Sequence, residues 1–592
     1  MYKIPVKNYL MLIVLTGSLA ACSQESKDES KVQQEAESSS QSSAAGEESA
    51  AVETPAPTVH PDQALIDKAG APLFDGMGSH HHEITTNHPG AQRYFNQGLV
   101  LAFAFNHAEA IRSFKAAQKL DPACAMCYWG EALATGPNIN ITSDGKVIMS
   151  KDERLTAYAV LQRAVARKGN ASQAEQGYID ALQERYDGDV TKGRDGLDEA
   201  YAKAMGGLAE KYPDDMDAAA LYAESLMNTM PWNYWKDDGN PRADTKSVIA
   251  SLERVLSVAP DHALAIHLYI HAVEASSSPD RAEKAADRLG ALVPGAGHLV
   301  HMPSHIYWRV GRYHDASAAN INAANIDEEY IAQCNAQGFY PALYYPHNIH
   351  FLWAASTMEG RSELSIESAM RVSDNVNVEQ VKQFPTIEFF RTIPLLSYVR
   401  FGKWDEILAA PEPPEDFKYS QGIHHYVRGI ALASKGEIAA AKAEQAALAP
   451  LKNTVSIQFL DKRDYPASLL LDIADQLLLG EIKFAEEEYA AATAHYQKAV
   501  DMQDTLPYTE PPFWYYPTRQ SLGHALLMDG KAPDAEKVYR RDLEIYPRNG
   551  WSLFGLVQAL EAQGKPEQAA EVQKQFDVIW QMSDIKLTAS RI

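Results

Sequence analysis

An all-α chain of stacked helix pairs is what the sequence predicts, on three observations. Small and aromatic residues recur at a spacing of 34, glycine-centred turns separate the helical stretches, and 46% hydrophobic content over 592 residues can bury far more than one ordinary core. The 54 Lys+Arg against 78 Asp+Glu leave a net charge of −24, and no basic patch interrupts it. Such a field repels phosphate backbones, so no nucleic-acid partner is expected. Four cysteines are too few for a disulfide-dense scaffold.

Residues 1–21 have the form of a signal peptide: Lys3 and Lys7 precede an apolar run, Tyr9 to Leu15, too short to span a bilayer. Leu19-Ala20-Ala21-Cys22 then resembles the lipobox of bacterial lipoproteins, which makes Cys22 the expected lipidated residue. Ser23 follows in place of the aspartate that resembles an inner-membrane retention signal, so the expected location is the outer membrane, facing the periplasm. Residues 22–60, rich in Ser, Ala, Glu and Gln, cannot bury enough apolar area to offset chain entropy and form a tether. Residues 61–90 are expected to be an N-terminal strap, followed by solenoid halves at 91–360 and 361–592.

Each repeat unit rests on identifiable residues. Gly98, Leu101, Ala110, Phe114, Ala117 and Pro122 form the first unit, and Leu522-Gly523, Leu526, Ala535, Tyr539 and Pro547 reproduce the spacing near the other end. Ala535 and Ala569, Pro260 and Pro294, and Ala282 and Ala316 are each 34 apart. Small residues let paired helices cross closely, and proline closes the second helix. The chain thus resembles the tetratricopeptide repeat family, specifically its large secreted bacterial lipoprotein members; the match is clear at 91–134, 250–330 and 515–576. The resemblance implies a helical solenoid whose first helices line a concave groove. Turns at Gly311, Gly360, Gly402 and Gly436 mark weaker units. Stretches 136–150, 229–246, 327–346 and 504–516 break the period and are expected to decorate one face as loop insertions.

Histidine placement is the sharpest functional signal. Nine of the 19 histidines fall between His262 and His350, where even scatter would put about three. His267 and His271 recur 34 residues later as His301 and His305, and His347 and His350 follow at equivalent positions beyond an insertion. His267, His271 and Glu274 form an i, i+4, i+7 stripe on one helical face. Two imidazoles and a carboxylate suit zinc, copper or iron. Pro303, between His301 and His305, is at ease only in a first helical turn, so His298 is expected to precede its helix. Groove histidines could equally hydrogen-bond a peptide or satisfy buried polar neighbours. His80-His81-His82 fits a solvated run, a strap laid into the groove, or a ligand set. Cys334 fits a soft metal ligand or an inert buried thiol.

Cys124 and Cys127 follow Pro122 at a helix start; Tyr128 stands where haem attachment needs histidine, so no haem is expected, and a local disulfide or thiol pair is. No HExxH, phosphate-binding glycine loop or G-x-S-x-G elbow is present. Trp232, Trp235, Trp308, Trp353, Trp514, Tyr515 and Tyr516 fit either core packing or a recognition surface, and His424-His425 falls off the groove stripe and is expected at the surface. Two functions follow. One is a lipid-anchored periplasmic scaffold that binds a protein or peptide in its concave groove, touching the membrane only through its anchor. The other is a metal carrier or metal-dependent hydrolase or redox enzyme using His267, His271, His301, His305, His347 and His350, with Glu274 as ligand or general base.

Overall fold

The computed structural model describes residues 62–592 apart from Asp144, Asp237, Asn335, Gln337 and Gly338. The expected signal peptide, the expected lipidation site Cys22 and the expected tether lie outside the described residues. The fold is all-α, and its one sheet among the described residues is a ribbon of two two-residue strands, Thr142–Ser143 with Lys146–Val147. No described helix is long and apolar enough to cross a membrane.

The first unit shows why these residues make a helix pair. His88 caps the helix Pro89–Phe103 by accepting from the Gly90 amide, with proline at a first-turn position. Asn106 caps the helix His107–Leu120 in the same way. Phe114 on the second helix is fully buried, and a Cβ built on Gly98 would lie 2.9 Å from its ring. Gly130, on the first helix of the next unit, meets the same ring from the other side. Tyr539 takes the equivalent place between Gly523 and Gly555. The recurring glycine and aromatic thus make one packing joint, a ring clamped between successive first helices. Phe114→Ala is expected to cost about 3–5 kcal/mol through the cavity it leaves; a denaturation midpoint equal to that of the parent chain would refute this reading of the repeat.

Gly311 and Gly360 adopt φ of 77° and 71° in the turns that the sequence marks. Packing runs through Gly360 as the helix Phe339–Glu359 hands on to Ser362–Asp374. The superhelix is tight enough that its turns touch. The Arg112 guanidinium meets Cys334 Sγ at 3.2 Å, and the Ser362 amide donates to Asp584 at 2.7 Å, both across 222 residues. Trp551 donates to the Thr357 carbonyl at 3.1 Å in the same joint. Five helix pairs separate Arg112 from Cys334, so one superhelical turn takes about five units.

The strap runs along the N-terminal ends of successive first helices. The Phe74 amide donates to Gln97 at 2.8 Å, the Gly295 amide to the Gly76 carbonyl at 2.9 Å, and the Thr85 amide to Glu175 at 2.6 Å. His82 Nδ1 contacts Asp217 at 2.7 Å and His80 Nε2 the same carboxylate at 3.1 Å, while His81 meets Asn96. His80 and His82 therefore tie the strap down rather than forming a solvated run.

Two of the interruptions share one face, the inner one, and a third decorates no face. Residues 327–346 largely extend two long helices, Tyr313–Cys334 and Phe339–Glu359. Residues 229–246 and 504–516 turn inward, bringing Trp232 and Tyr508 toward the histidines. The reason is the closed superhelix: the inner face is too apolar to face water, and these segments cover it. His424 is also a correction. Its helix, Lys418–Ser434, is packed on two sides, so His424 is buried and only His425 is partly exposed.

Candidate metal centre

Four helical segments and one loop converge on the inner face. The helix Ala263–Val273 carries His267 and His271, and Glu274 ends it. The next first helix is broken in two at Met302: Gly297–His301 holds His298 and His301, and Pro303 opens Pro303–Val310, which holds His305. His298 therefore lies inside a short helix instead of before one, because the proline starts a second segment. The helix Phe339–Glu359 supplies His347, and the loop at 504–516 supplies Tyr508 and Glu510.

The histidines gather in two triads. Ligand nitrogens of His267, His271 and His298 all lie within 4.8 Å of one another, as do those of His301, His305 and His347. The triads adjoin, with the rings of His271 and His305 5.7 Å apart and those of His298 and His301 5.9 Å apart. Phe105 packs on His267 at 4.5 Å and on His298 at 5.5 Å. Phe351 sits 5.4 Å from His301 and 5.1 Å from His305, so the walls are apolar.

Hydrogen bonds settle where the protons sit. A carbonyl or carboxylate oxygen only accepts, so the partner nitrogen must carry hydrogen. His267 Nδ1 donates to the Phe103 carbonyl at 2.7 Å, His271 Nδ1 to Glu274 at 2.8 Å, and His301 Nδ1 to Asn320 Oδ1 at 2.6 Å. Each neutral ring therefore turns an Nε2 lone pair inward. The Nε2 atoms of His267 and His271 and both ring nitrogens of His298 are buried with no hydrogen-bond partner among the described residues. Burial holds His267, His298, His301 and His347 well below the usual imidazole range, with neighbouring imidazoles adding to the effect.

His305 differs. Its Nδ1 donates to Glu274 Oε2 at 2.7 Å and stands 3.2 Å from Glu510 Oε2, while its Nε2 faces His301 Nε2 at 2.9 Å. Since His301 Nε2 carries the lone pair, His305 Nε2 must donate, and the ring is an imidazolium. Burial opposes that charge, but the two carboxylates outweigh it and lift its pKa to about 10. Glu274 is held down at about 2 despite burial because His305 and His271 stabilise its anion. Burial pushes Glu510 up to about 7, with Glu274 close by. Glu274 thus bridges the triads from outside, one oxygen on each, orienting His271 and His305.

Two other candidates go elsewhere. His350 stacks on Trp353 at 5.3 Å and meets Phe390 edge-on at 5.4 Å, and it belongs to neither triad. The residues after Pro346 continue one helix, and the three-residue step from His347 rotates His350 toward the aromatic side. Cys334 is buried beside Arg112 of the first unit and joins no ligand group among the described residues. Cys124 and Cys127 are joined as a disulfide, with Cys124 capping the helix Ala125–Thr135.

The sequence carried no sign that Glu510, Asn320 or Phe105 would meet these histidines. Asn320 shares the second helix of its unit with no motif, and Glu510 lies 205 residues beyond His305, its partner in space. The available hint was Thr509-Glu510-Pro511, a lone acid in an aromatic segment that breaks the period.

In sequence, the family model for the tetratricopeptide repeat matches residues 91–124. Residues 91–124 therefore carry one tetratricopeptide repeat. Among solved structures, this repeat chain is similar to the Cut9–Hcn1 hetero-tetramer of the APC/C, at 12% identity over 83% of this chain and 73% of that one, with a TM-score of 0.27. It is similar also to a human IFIT1 dimer with m7Gppp-AAAA, at 12% identity over 83% and 90% with a TM-score of 0.28. Yeast Tom70 matches at 11% identity over 82% and 89%, with a TM-score of 0.25. No curated protein matches the chain in sequence.

Proposed function

We propose that this chain holds a transition metal among its interior histidines. One observation carries the reading: His267, His271 and His298 converge with four buried ring nitrogens that no hydrogen bond meets among the described residues. A buried polar atom left unmet costs about 1–3 kcal/mol, and a metal ion bound by three imidazoles would remove that cost. The outer contacts fit as well, since ligating histidines normally donate their other N–H to a carbonyl or carboxylate. His267, His271 and His298 would bind first, because at least two of their lone pairs already point inward. His301, His305 and His347 would form a second set, with Glu274 outside both. Imidazole-only sets suit zinc, copper or iron.

Elemental analysis of the purified chain after exposure to each of these metals tests the reading. One to two ions per chain are expected, with at least one lost in a His267→Ala/His298→Ala double variant that still shows the parent's helical circular dichroism. No retained metal, or retention unchanged in the variant, would sink it. A further expectation concerns protons. Binding at the second set requires His305 to surrender its Nε2 hydrogen, so the second ion is expected to release about one more proton than the first, measurable by calorimetry in two buffers of different ionisation enthalpy.

Protein binding is a second reading, supported by the repeat family itself. The strap and the inward segments cover the inner face at the histidines, so a partner would dock on the remaining faces. The same proposal keeps the chain in the cell envelope through lipidated Cys22. Mass spectrometry of the N-terminal peptide from membrane fractions would test that, and an unmodified Cys22 would overturn it.

A further inference from the structure

Beyond the histidine triads the inner face opens into a cavity of about 220 Å³. Its walls are aromatic: Trp232, Tyr344, Trp353, Phe389, Phe390 and Tyr465. Phe389 lies 4.0 Å from Phe390 and stacks on Tyr465 at 5.3 Å, so the rings support one another. His350 belongs to this wall through its stack on Trp353, which gives a use to the candidate that the triads leave out. At the closed end stand His271, His305 and His347 with Glu274 and Glu510. At the other end are Arg463 and Asp464, both exposed, so a path leads in from solvent.

The shape and chemistry select a ligand class. A dry apolar cavity of about 150 Å³ already takes up benzene, so this volume accommodates roughly two fused rings. Aromatic walls favour a planar π-system, by stacking and edge-on contacts worth about 0.5–1.5 kcal/mol per pair beyond area burial. The closed end is already matched in charge, with Glu274 and Glu510 facing the His305 imidazolium, so a charged head group finds no free counter-charge there. A neutral hydroxyl meets this demand: it donates to a carboxylate oxygen or to the unmet His271 Nε2 lone pair. A long acyl chain matches the apolar walls but would carry its carboxylate to the wrong end.

We infer that the cavity between the Arg463 turn and the histidine triads binds a planar aromatic alcohol, its rings among Trp353, Phe389 and Phe390 and its hydroxyl toward Glu510. This binding does not depend on the metal, since the walls are complete without it.

The test is titration of the full mature chain with 2-naphthol, followed by calorimetry and by the fluorescence of the wall tryptophans, in metal-free and metal-treated samples. Saturable binding of one molecule per chain is expected in both. Ala275→Trp and Leu343→Trp, at half-buried positions on the cavity rim, are each expected to weaken it at least tenfold while metal content and helical circular dichroism stay as in the parent. Two variants at different points guard against one failing to fold. Absence of binding, equal binding in the folded plugged variants, or tighter binding of decanoate than of 2-naphthol would overturn the proposal. Because metal content is measured on the same samples, failure here is distinguishable from failure of the metal reading.

Discussion

Lowering the pH of the metal-free protein from 7 to 5.5 is expected to destabilise it by about 3 kcal/mol, a large share of a typical folding free energy. The effect comes from His267, His298 and His301, whose side chains are at most 2% exposed and whose pKa values burial holds well below the usual range. In the unfolded chain an imidazole titrates near 6.5, so below that pH the unfolded state takes up protons that the native state refuses. Each such histidine then costs about 1.3 kcal/mol by pH 5.5. His305 has the opposite sign and returns about 0.8 kcal/mol across this window, because the native ring already holds the proton that the unfolded chain takes up only below 6.5. Raised to about 10, its contribution is complete below 6.5, declines as pH rises from there, and is gone above 10. Glu274, lowered to about 2, keeps its contribution until the pH falls below the ordinary carboxylate range. Thermal melts across the window check this, and a melting temperature constant from pH 7 to 5.5 would show that the three rings are not held neutral. Bound metal should flatten the curve, because a coordinated lone pair cannot take a proton until the ion leaves.

Glu274→Gln is expected to weaken metal binding about 10–100-fold although it removes no ligand from either triad. The carboxylate accepts from His271 on one oxygen and from His305 on the other, so it sets the ring orientation in both triads. An amide can accept on only one side and presents N–H groups to the other imidazole, which also donates. The variant also strips the His305 imidazolium of its main counter-charge, and breaking a buried pair costs about 3–5 kcal/mol. Glu510→Gln is the control: its 3.2 Å contact with His305 makes it the lesser partner, so the expected loss in metal affinity is smaller. Metal competition titrations on both variants provide the measurement. Equal affinities for Glu274→Gln and the parent would remove Glu274 from its orienting place.

How far the sequence reaches can be seen at individual residues. Gly98, Phe114 and Gly130 announce their joint, because a ring clamped between two helices needs small residues at those spacings and nothing distant is involved. The register of His267, His271, His301 and His305 was equally legible, since helical periodicity places residues three and four apart on one face. His350 was misjudged by the same rule, where a three-residue step and the packing of Trp353 and Phe390 carry the ring away from the triads. His424 was misjudged because a surface position on one helix pair becomes interior once another unit packs over it.

What the sequence determined by itself is therefore local: the helix pairs, their caps and turns, and the stripe of imidazoles repeated every 34 residues, all set by interactions within one unit or between neighbours. The closure of the superhelix after 222 residues was decided only in the tertiary structure, and with it the Phe103 carbonyl, Glu510 and the aromatic chamber came to the histidines. Small rotations between neighbouring units accumulate over a full turn, and no single unit's residues specify their sum.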